Sequence, residues 1–328
     1  MIRIALDVLG GEAAPNAPII GAQEAVRAWT DEINLLLVGP EEVVVSRLSE
    51  FPEGTVKWVP ADEAIDLGEP PVLAVRRKPR SSIVRGLEAV RDGEADAFVS
   101  AGSTGAIVVA SVLTLGLLPG IDRPPVGVLF PTATGRVLVL DVGADIDVRP
   151  AQLQQYAHLG SSYLSDGQSM KRPRVGLLNV GEEADKGGGV SVAAYGLLAA
   201  DSGIKFVGNV EGNQIIAGVC DVVVCGGFVG NVLLKFYESI RDFVVGVLRE
   251  EGLGEVGDLD GVLRVLDGTE YGGAPLFGVD GVSVICHGGS PPRAIKNAIR
   301  TAMDAVSSSV VQDMRARLEA LKHHAGEQ

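Results

Sequence analysis

Short runs of β-branched residues and leucine alternate along the chain with segments whose apolar positions recur at helical spacing. The strand-like runs are 2–7, 33–38, 96–100, 125–130, 136–141, 174–179, 204–208, 221–225 and 282–286. Several are continuously apolar, which suits strands covered by helices on both faces of a parallel sheet. Helical spacing predicts helices over 17–29, 41–50, 81–92, 104–117, 150–164, 189–200, 228–249 and 291–321, the last one broken. Pro150 and the Pro291-Pro292 pair fall at helix starts, where a missing N–H costs nothing. This βαβα alternation predicts a doubly wound α/β fold. Residues 1–328 read as one domain, either undivided or in two lobes that share a continuous sheet with a division near 140–150.

Composition narrows the function classes. The 328 residues are 46% hydrophobic and 21% charged, the balance of a globular protein rather than a disordered one. A net charge of −14 argues against nucleic-acid binding, which needs basic side chains against phosphates. Cys220, Cys225 and Cys286 fit neither a zinc motif nor a disulfide framework, so a reducing cytoplasm is expected. The histidines form no metal cluster beyond the adjacent His323 and His324, which read as solvent-exposed filler in a polar tail. The start, MIRIALDVLGG, has the pattern of a strand entering a turn rather than of a signal peptide. The most apolar run, 106–118, is shorter than the roughly 20 residues a membrane span needs and reads as a buried helix.

Glycine is abundant, at 43 residues, and it gathers after the strands, where this architecture binds its ligands. Turns rich in glycine occur at 6–12, 100–106, 141–145, 179–189 and 225–231. In SAGSTGA (100–106), Gly102 and Gly105 allow close backbone approach, and Ser103 and Thr104 offer hydroxyls at a helix N-terminus. That combination suits an anion, most simply phosphate; alternatively either hydroxyl only caps the helix. Gly10 and Gly11 serve the first turn in the same way. No GxGxxG or GxxxxGK[ST] motif is present, and Ala101 breaks a GxSxG elbow. A serine hydrolase would also need a placed histidine, for which His287 in ICHGGS (285–290) is the candidate. Lys186 could neutralise a phosphate, with Glu182 and Glu183 orienting it; the other reading is a solvated loop. Asn231 either caps the helix that follows or donates to an oxyanion. Cys225 is either a nucleophile or a buried small residue. The basic cluster RRKPR (76–80) is either a solvated face or a contact for phosphate or an acidic carrier protein. The amphipathic helix 228–249 suits a core or dimer face better than a membrane, since the following stretch, 250–261, is acidic.

Taken in order, ALDVLGG, GEADAFVSAGSTGA, LPGIDRP, DVGAD, PRVGLLNVGEEADKG, FVGNVEG, DVVVCGGFVGNVLLK, EYGGAPLFGVDG and HGGSPPRAIKNAI resemble the PlsX-type phosphate acyltransferases of bacterial phospholipid synthesis. The resemblance implies a Rossmann-like α/β/α fold related to isocitrate and isopropylmalate dehydrogenases and to phosphotransacetylases. It implies a homodimer, cytoplasmic and peripherally associated with the membrane. The implied reaction is acyl-[acyl carrier protein] plus phosphate giving acyl phosphate and free carrier protein; the sequence itself calls for neither metal nor organic cofactor. Lys186 and Asn231 then carry the catalytic roles. Gly10, Gly11, Gly102, Ser103, Thr104 and Gly105 contact phosphate or substrate, as do Asn179, Glu182, Gly227 and His287. Glu12, Asp145, Asn213 and Gly226 depart from the family pattern, and Gly226 stands where an acid is usual. The alternatives are a short-chain phosphotransacylase using coenzyme A, a decarboxylating dehydrogenase, or a non-catalytic carrier-binding or membrane scaffold.

Overall fold

The computed structural model describes residues 1–167, 170–250 and 272–326. The His323 and His324 side chains and nearly all of the acidic stretch 250–261 lie outside the described residues. The chain forms two compact units, 1–124 with 271–328, and 125–270. The expected division at 140–150 falls inside the second of these.

In the first unit, strands β1 (Ile2–Asp7), β2 (Ile33–Gly39), β3 (Val56–Pro60) and β4 (Ala97–Ser100) run parallel. The chain returns near its end to add a short β10 (Ala274–Pro275) and β11 (Val282–Ile285), giving the order β10-β11-β4-β1-β2-β3. Only β10 is antiparallel. Helices α1 (Asn16–Ala28) and α10 (Pro292–Ser307) pack on each other. Their approach is close because Gly21 faces Ile295, and a Cβ there would lie 2.7 Å from the Ile295 Cβ. Helices α3 (Pro71–Arg77) and α4 (Ser82–Arg91) pack on α5 (Thr104–Leu115). Ile4, Leu6, Leu35, Leu37 and Val99 are fully buried between strands and helices. Each such side chain contributes about 1.5–3 kcal/mol of transfer free energy.

The second unit has the order β5-β6-β9-β7-β8, from β5 (Gly127–Thr132), β6 (Gly135–Leu140), β7 (Arg174–Leu178), β8 (Lys205–Val210) and β9 (Val222–Val224). Only the β5–β6 hairpin is antiparallel. Helix α6 (Pro150–Gly167) rests on β9, where Gly160 lets the Val222 side chain approach. It also packs on α7 (Gly189–Ala200), while α8 (Gly212–Ala217) lies beside β5 and α9 (Gly227–Glu250) touches β6.

Each unit clamps a strand start in the same way. Arg3 donates its backbone N–H to Asp96 Oδ2 at 2.7 Å, and its guanidinium to the same carboxylate. Arg174 repeats this with Asp221, again at 2.7 Å for the backbone bond.

The nine expected strands all form, as do the eight expected helical segments. The 41–50 segment splits into a short α2 (Glu41–Val44) and a 3-10 turn over Val45–Glu50. The 291–321 segment breaks into α10 and α11 (Val310–Gly326), with Ser309 at φ 54° between them. The 106–118 run becomes α5, which ends at Gly116. It buries Ala106, Ile107 and Ala110, yet Leu113 is 58% exposed, so it is a one-faced helix rather than a wholly buried one. Among the described residues, no helix is long and apolar enough to cross a membrane.

Candidate functional site

In each unit, a strand ends on a buried aspartate that gathers the glycine-rich turn after it. In the first unit this is Asp7, at the end of β1. Its Oδ1 accepts from the Leu9 amide at 2.9 Å, and its Oδ2 from the Ser100 hydroxyl at 2.7 Å. The Ser100 oxygen in turn accepts from the Gly102 amide at 3.0 Å. Burial pushes the Asp7 carboxyl above the usual carboxylate range, opposed by bonds from Ser100, Ser82 and the amides of Leu9 and Gly10. Gly10 fits against this knot because a Cβ there would lie 2.7 Å from both Asp7 Oδ2 and the Gly102 nitrogen. Gly11, at φ 101°, turns the chain so that the Glu12 amide reaches the Gly288 carbonyl at 2.7 Å. The turns carrying Gly10, Gly11, Gly102 and His287 are therefore brought together.

The capping alternative for Ser103 does not hold. Ser103 occupies the N-cap of α5 without a side-chain capping bond. The first helical bond at that end runs from the Ile107 amide to the Ser103 carbonyl at 2.9 Å, so the amides of Thr104, Gly105 and Ala106 come before it. The Gly102 amide is spent inward on Ser100. The Ser103 and Thr104 hydroxyls and the first-turn amides are what this helix end can offer an anion. His287 is exposed, and its Nδ1 accepts from the Gly289 amide at 3.1 Å, which closes its own turn. No Ser–His pair of the hydrolase type occurs among the described residues.

In the second unit the aspartate is Asp141, just after β6 and fully buried. Its Oδ1 accepts from the amides of Val126 at 2.9 Å, Gly143 at 3.1 Å and Ala144 at 3.1 Å, and its Oδ2 from the Asp145 amide at 2.7 Å. Burial raises the Asp141 carboxyl against the pull of these bonds. The GGFVGN segment (226–231), whose residues from Gly227 on open α9, folds over this hub. Gly227 donates its amide to the Asp145 carbonyl at 2.8 Å, and a Cβ at Gly227 would lie 2.6 Å from Asp141 Oδ2. Gly230 rests on the Asp141 carbonyl, with no room there for any side chain. Asn231 donates Nδ2 to the Val142 carbonyl at 3.2 Å and sits over Gly143, whose φ of 138° brings the backbone in. An amide group carries two N–H donors, so one remains for another acceptor.

Lys186 lies in a loop built by asparagines. Asn179 donates to the Lys186 carbonyl at 3.0 Å and accepts from the Val180 amide at 2.8 Å, and Asn209 donates to the Glu183 carbonyl at 2.7 Å. The expected orientation of Lys186 by Glu182 and Glu183 takes a different form. The Glu182 carboxylate is engaged by the Gln214 amide, and the Glu183 carbonyl accepts from the Lys186 amide at 3.1 Å. These residues shape the loop, and the exposed Lys186 ammonium makes no ion pair among the described residues.

Two departures from the family pattern have local explanations. Asp145 accepts from Gln152 Nε2 at 3.0 Å and from the Asp147 amide at 3.3 Å. Gly226 leaves space that Val148 fills, since a Cβ there would lie 2.9 Å from Val148 Cγ1. Cys225 is 3% exposed and donates weakly to the Asp141 carbonyl at 3.4 Å. Burial holds its thiol well above the ordinary range, which suits a packed residue and not a nucleophile. From the sequence alone Asp7 and Asp141 carry no assigned role. The signal was present, because each is a carboxylate that closes a buried apolar strand immediately before a glycine turn.

A family model described as fatty acid synthesis protein matches residues 2–313. A phosphate acyltransferase from Desulforamulus reducens is 44% identical over 330 residues, covering 97% of this chain and 98% of the relative. One from Nostoc punctiforme is 45% identical over 329 residues, covering 96% of each. Among solved structures, EutD phosphotransacetylase from Staphylococcus aureus aligns with a TM-score of 0.60 at 15% identity, covering 94% of each chain. A 4-hydroxythreonine-4-phosphate dehydrogenase from Klebsiella pneumoniae aligns with a TM-score of 0.55 at 13% identity, covering 93% of this chain and 100% of that one. These two likenesses show the fold, a Rossmann-like dehydrogenase-type α/β architecture. The sequence matches show the family: this chain belongs to the fatty acid synthesis proteins of the PlsX type, the phosphate acyltransferases.

Proposed function

We propose that the protein transfers a long acyl chain from acyl-[acyl carrier protein] to inorganic phosphate by direct attack. A phosphate oxygen donates its electron pair to the thioester carbonyl carbon. The C–S bond then breaks, the carrier leaves as thiolate, and a proton from solvent completes the thiol. In this reading the α5 helix end binds phosphate through its first-turn amides and the Ser103 and Thr104 hydroxyls. Lys186 supplies a cation, and the second Nδ2 N–H of Asn231 donates to the developing oxyanion. Thiolate leaves readily, so no strong general acid is needed. The observation that carries the reading is the near full-length match to phosphate acyltransferases.

The donor is tested by supplying long-chain acyl carrier protein and acyl-coenzyme A in parallel and trapping acyl phosphate with hydroxylamine. Carrier-dependent product is expected. Product from short-chain coenzyme A thioesters alone would favour the phosphotransacylase reading, and carrier binding without product would favour a scaffold.

The reading extends to assembly and location. Phe228, Val232, Phe236, Phe243 and Val247 recur along α9 and are 66%, 55%, 65%, 71% and 42% exposed. An apolar stripe of this kind supports a homodimer packed through α9, with peripheral membrane contact as its lesser use. Light scattering on the purified chain tests the dimer. Three free, buried thiols suit the cytoplasm.

A further inference from the structure

We propose that the outward face of α3 is the docking surface for the acidic carrier protein that delivers the thioester. This rests on the reading above that the acyl donor is a carrier protein. Helix α3 turns Ala74 and Val75 inward. It leaves Val72 and Leu73 outward at 48% and 49% exposed, and one turn further on Arg76 and Arg77 are also exposed. Leu67, just before the helix, is 52% exposed. The result is an apolar patch with two arginines along its edge.

The neighbouring cations are already used. Lys78 donates to Glu69 and, at 2.7 Å, to the Ala64 carbonyl. Arg80 pairs with Asp62, and its backbone amide takes up Glu63. Arg85 pairs with Glu88, and Arg91 with Asp92. Arg76 and Arg77 make no ion pair or hydrogen bond among the described residues. In a chain of net charge −14, they stand out as cations left free beside exposed apolar side chains.

The patch adjoins the proposed phosphate turn. Pro71 sits against Gly105 in the first turn of α5, where a Cβ would lie 2.7 Å from Pro71 Cγ. Leu67 Cδ1 lies 3.5 Å from the position a Cβ would take at Gly288, in the turn bonded to Glu12. A partner seated on α3 therefore rests on residues that touch the loops expected to hold phosphate.

Charge decides the occupant. The whole chain repels an acidic protein, so such a partner needs local cations and apolar contact together. A carrier surface with acidic residues around an apolar strip complements two arginines around Leu67, Val72 and Leu73. Anionic lipid is the poorer fit, because electrostatic lipid recognition uses clusters of about 4–8 basic residues.

The test measures acyl-phosphate formation against carrier concentration for the wild type, R76E/R77E and R76A/R77A, at two salt concentrations. All these side chains are exposed, so unchanged circular dichroism is expected. For R76E/R77E the expected result is a rise in KM for the acyl carrier of about tenfold or more, with kcat within twofold. A smaller rise is expected for R76A/R77A, with a flatter salt dependence in both. Partial recovery of R76E/R77E by a carrier whose surface acids are changed to lysine would support the contact directly. A carrier KM within twofold of wild type in R76E/R77E overturns the proposal. So does loss of binding to phosphatidylglycerol vesicles with carrier KM unchanged, which would assign the face to lipid. If the wild type forms no acyl phosphate from carrier, the donor reading fails on its own. Direct carrier binding then decides the face: weaker binding by R76E/R77E than by wild type supports it, and equal or absent binding overturns it.

Discussion

Replacing Asp141 tests whether a buried carboxylate holds the carbonyl-side turns in shape. In Asp141→Ala, the amides of Val126, Gly143, Ala144 and Asp145 lose their acceptor. Water can reach Gly143 and Ala144, whose bonds are only part-buried, while those from Val126 and Asp145 are buried. An orphaned buried donor costs about 1–3 kcal/mol, so those two alone cost roughly 2–6 kcal/mol. Removing a carboxyl that burial disfavours offsets part of this, leaving an expected loss of about 3 kcal/mol. Asp141→Asn keeps one oxygen for three amides but turns an NH2 toward the Asp145 amide, so a loss of about 1–2 kcal/mol is expected. Urea unfolding followed by circular dichroism gives both values. Asn231 hangs on the carbonyl of Val142, next in sequence, so acyl-transfer kcat should fall in the same order, Asn then Ala. A stability for Asp141→Ala within about 0.5 kcal/mol of wild type would refute the hub.

Other consequences are more local. Gly230→Ala has no space over the Asp141 carbonyl, and it should abolish activity and lower the melting temperature by several degrees; a fully active variant would contradict the close packing. Cys225→Ser should keep most acyl-transfer activity, and thiol reagents should label Cys225 only as the protein unfolds, because its burial raises the thiol. Asp201 lies at the end of α7. Burial alone would raise its carboxyl, but the Gln154 bond and the His158 charge and bond outweigh this and hold it below the usual range. A depressed carboxylate stabilises the fold above the ordinary aspartate value near 4 and loses that contribution as pH falls through its folded value. The melting-temperature gap between wild type and Asp201→Asn should therefore be wider at about pH 5 than at about pH 2; a gap independent of pH would exclude this linkage.

The buried strands were legible because runs such as INLLLV and RVLVLD are apolar on both faces. Strand β3 was missed because VKWVP carries a lysine and ends in proline at the sheet edge, so no buried run marks it. Helix α3 was missed because PVLAVRR buries only Ala74 and Val75. Helix α8 begins on glycine, yet it is held by a reciprocal cap between Glu211 and Gln214 whose E-x-x-Q spacing was readable. The glycine-rich segments are legible in the sequence, although 227–231 form the first turn of α9 and Asn231 lies inside that helix rather than capping it; what anchors these segments is not legible. Asp7 and Asp141 look like ordinary strand ends until the fold brings Ser100 and the Val126 amide to them from distant sequence. Capping by Ser103 and orientation of Lys186 by glutamates were both reasonable from spacing alone, and only side-chain bonds could decide them.

The central claim is most directly tested by acyl-phosphate formation from long-chain acyl carrier protein and phosphate, measured for wild type, Lys186→Ala and Asn231→Ala at matched folding. Wild-type turnover is predicted, with each variant reduced by about 10²–10³-fold, the usual cost of losing a transition-state donor or charge. Full activity in both variants, or no product from the wild type, would contradict it.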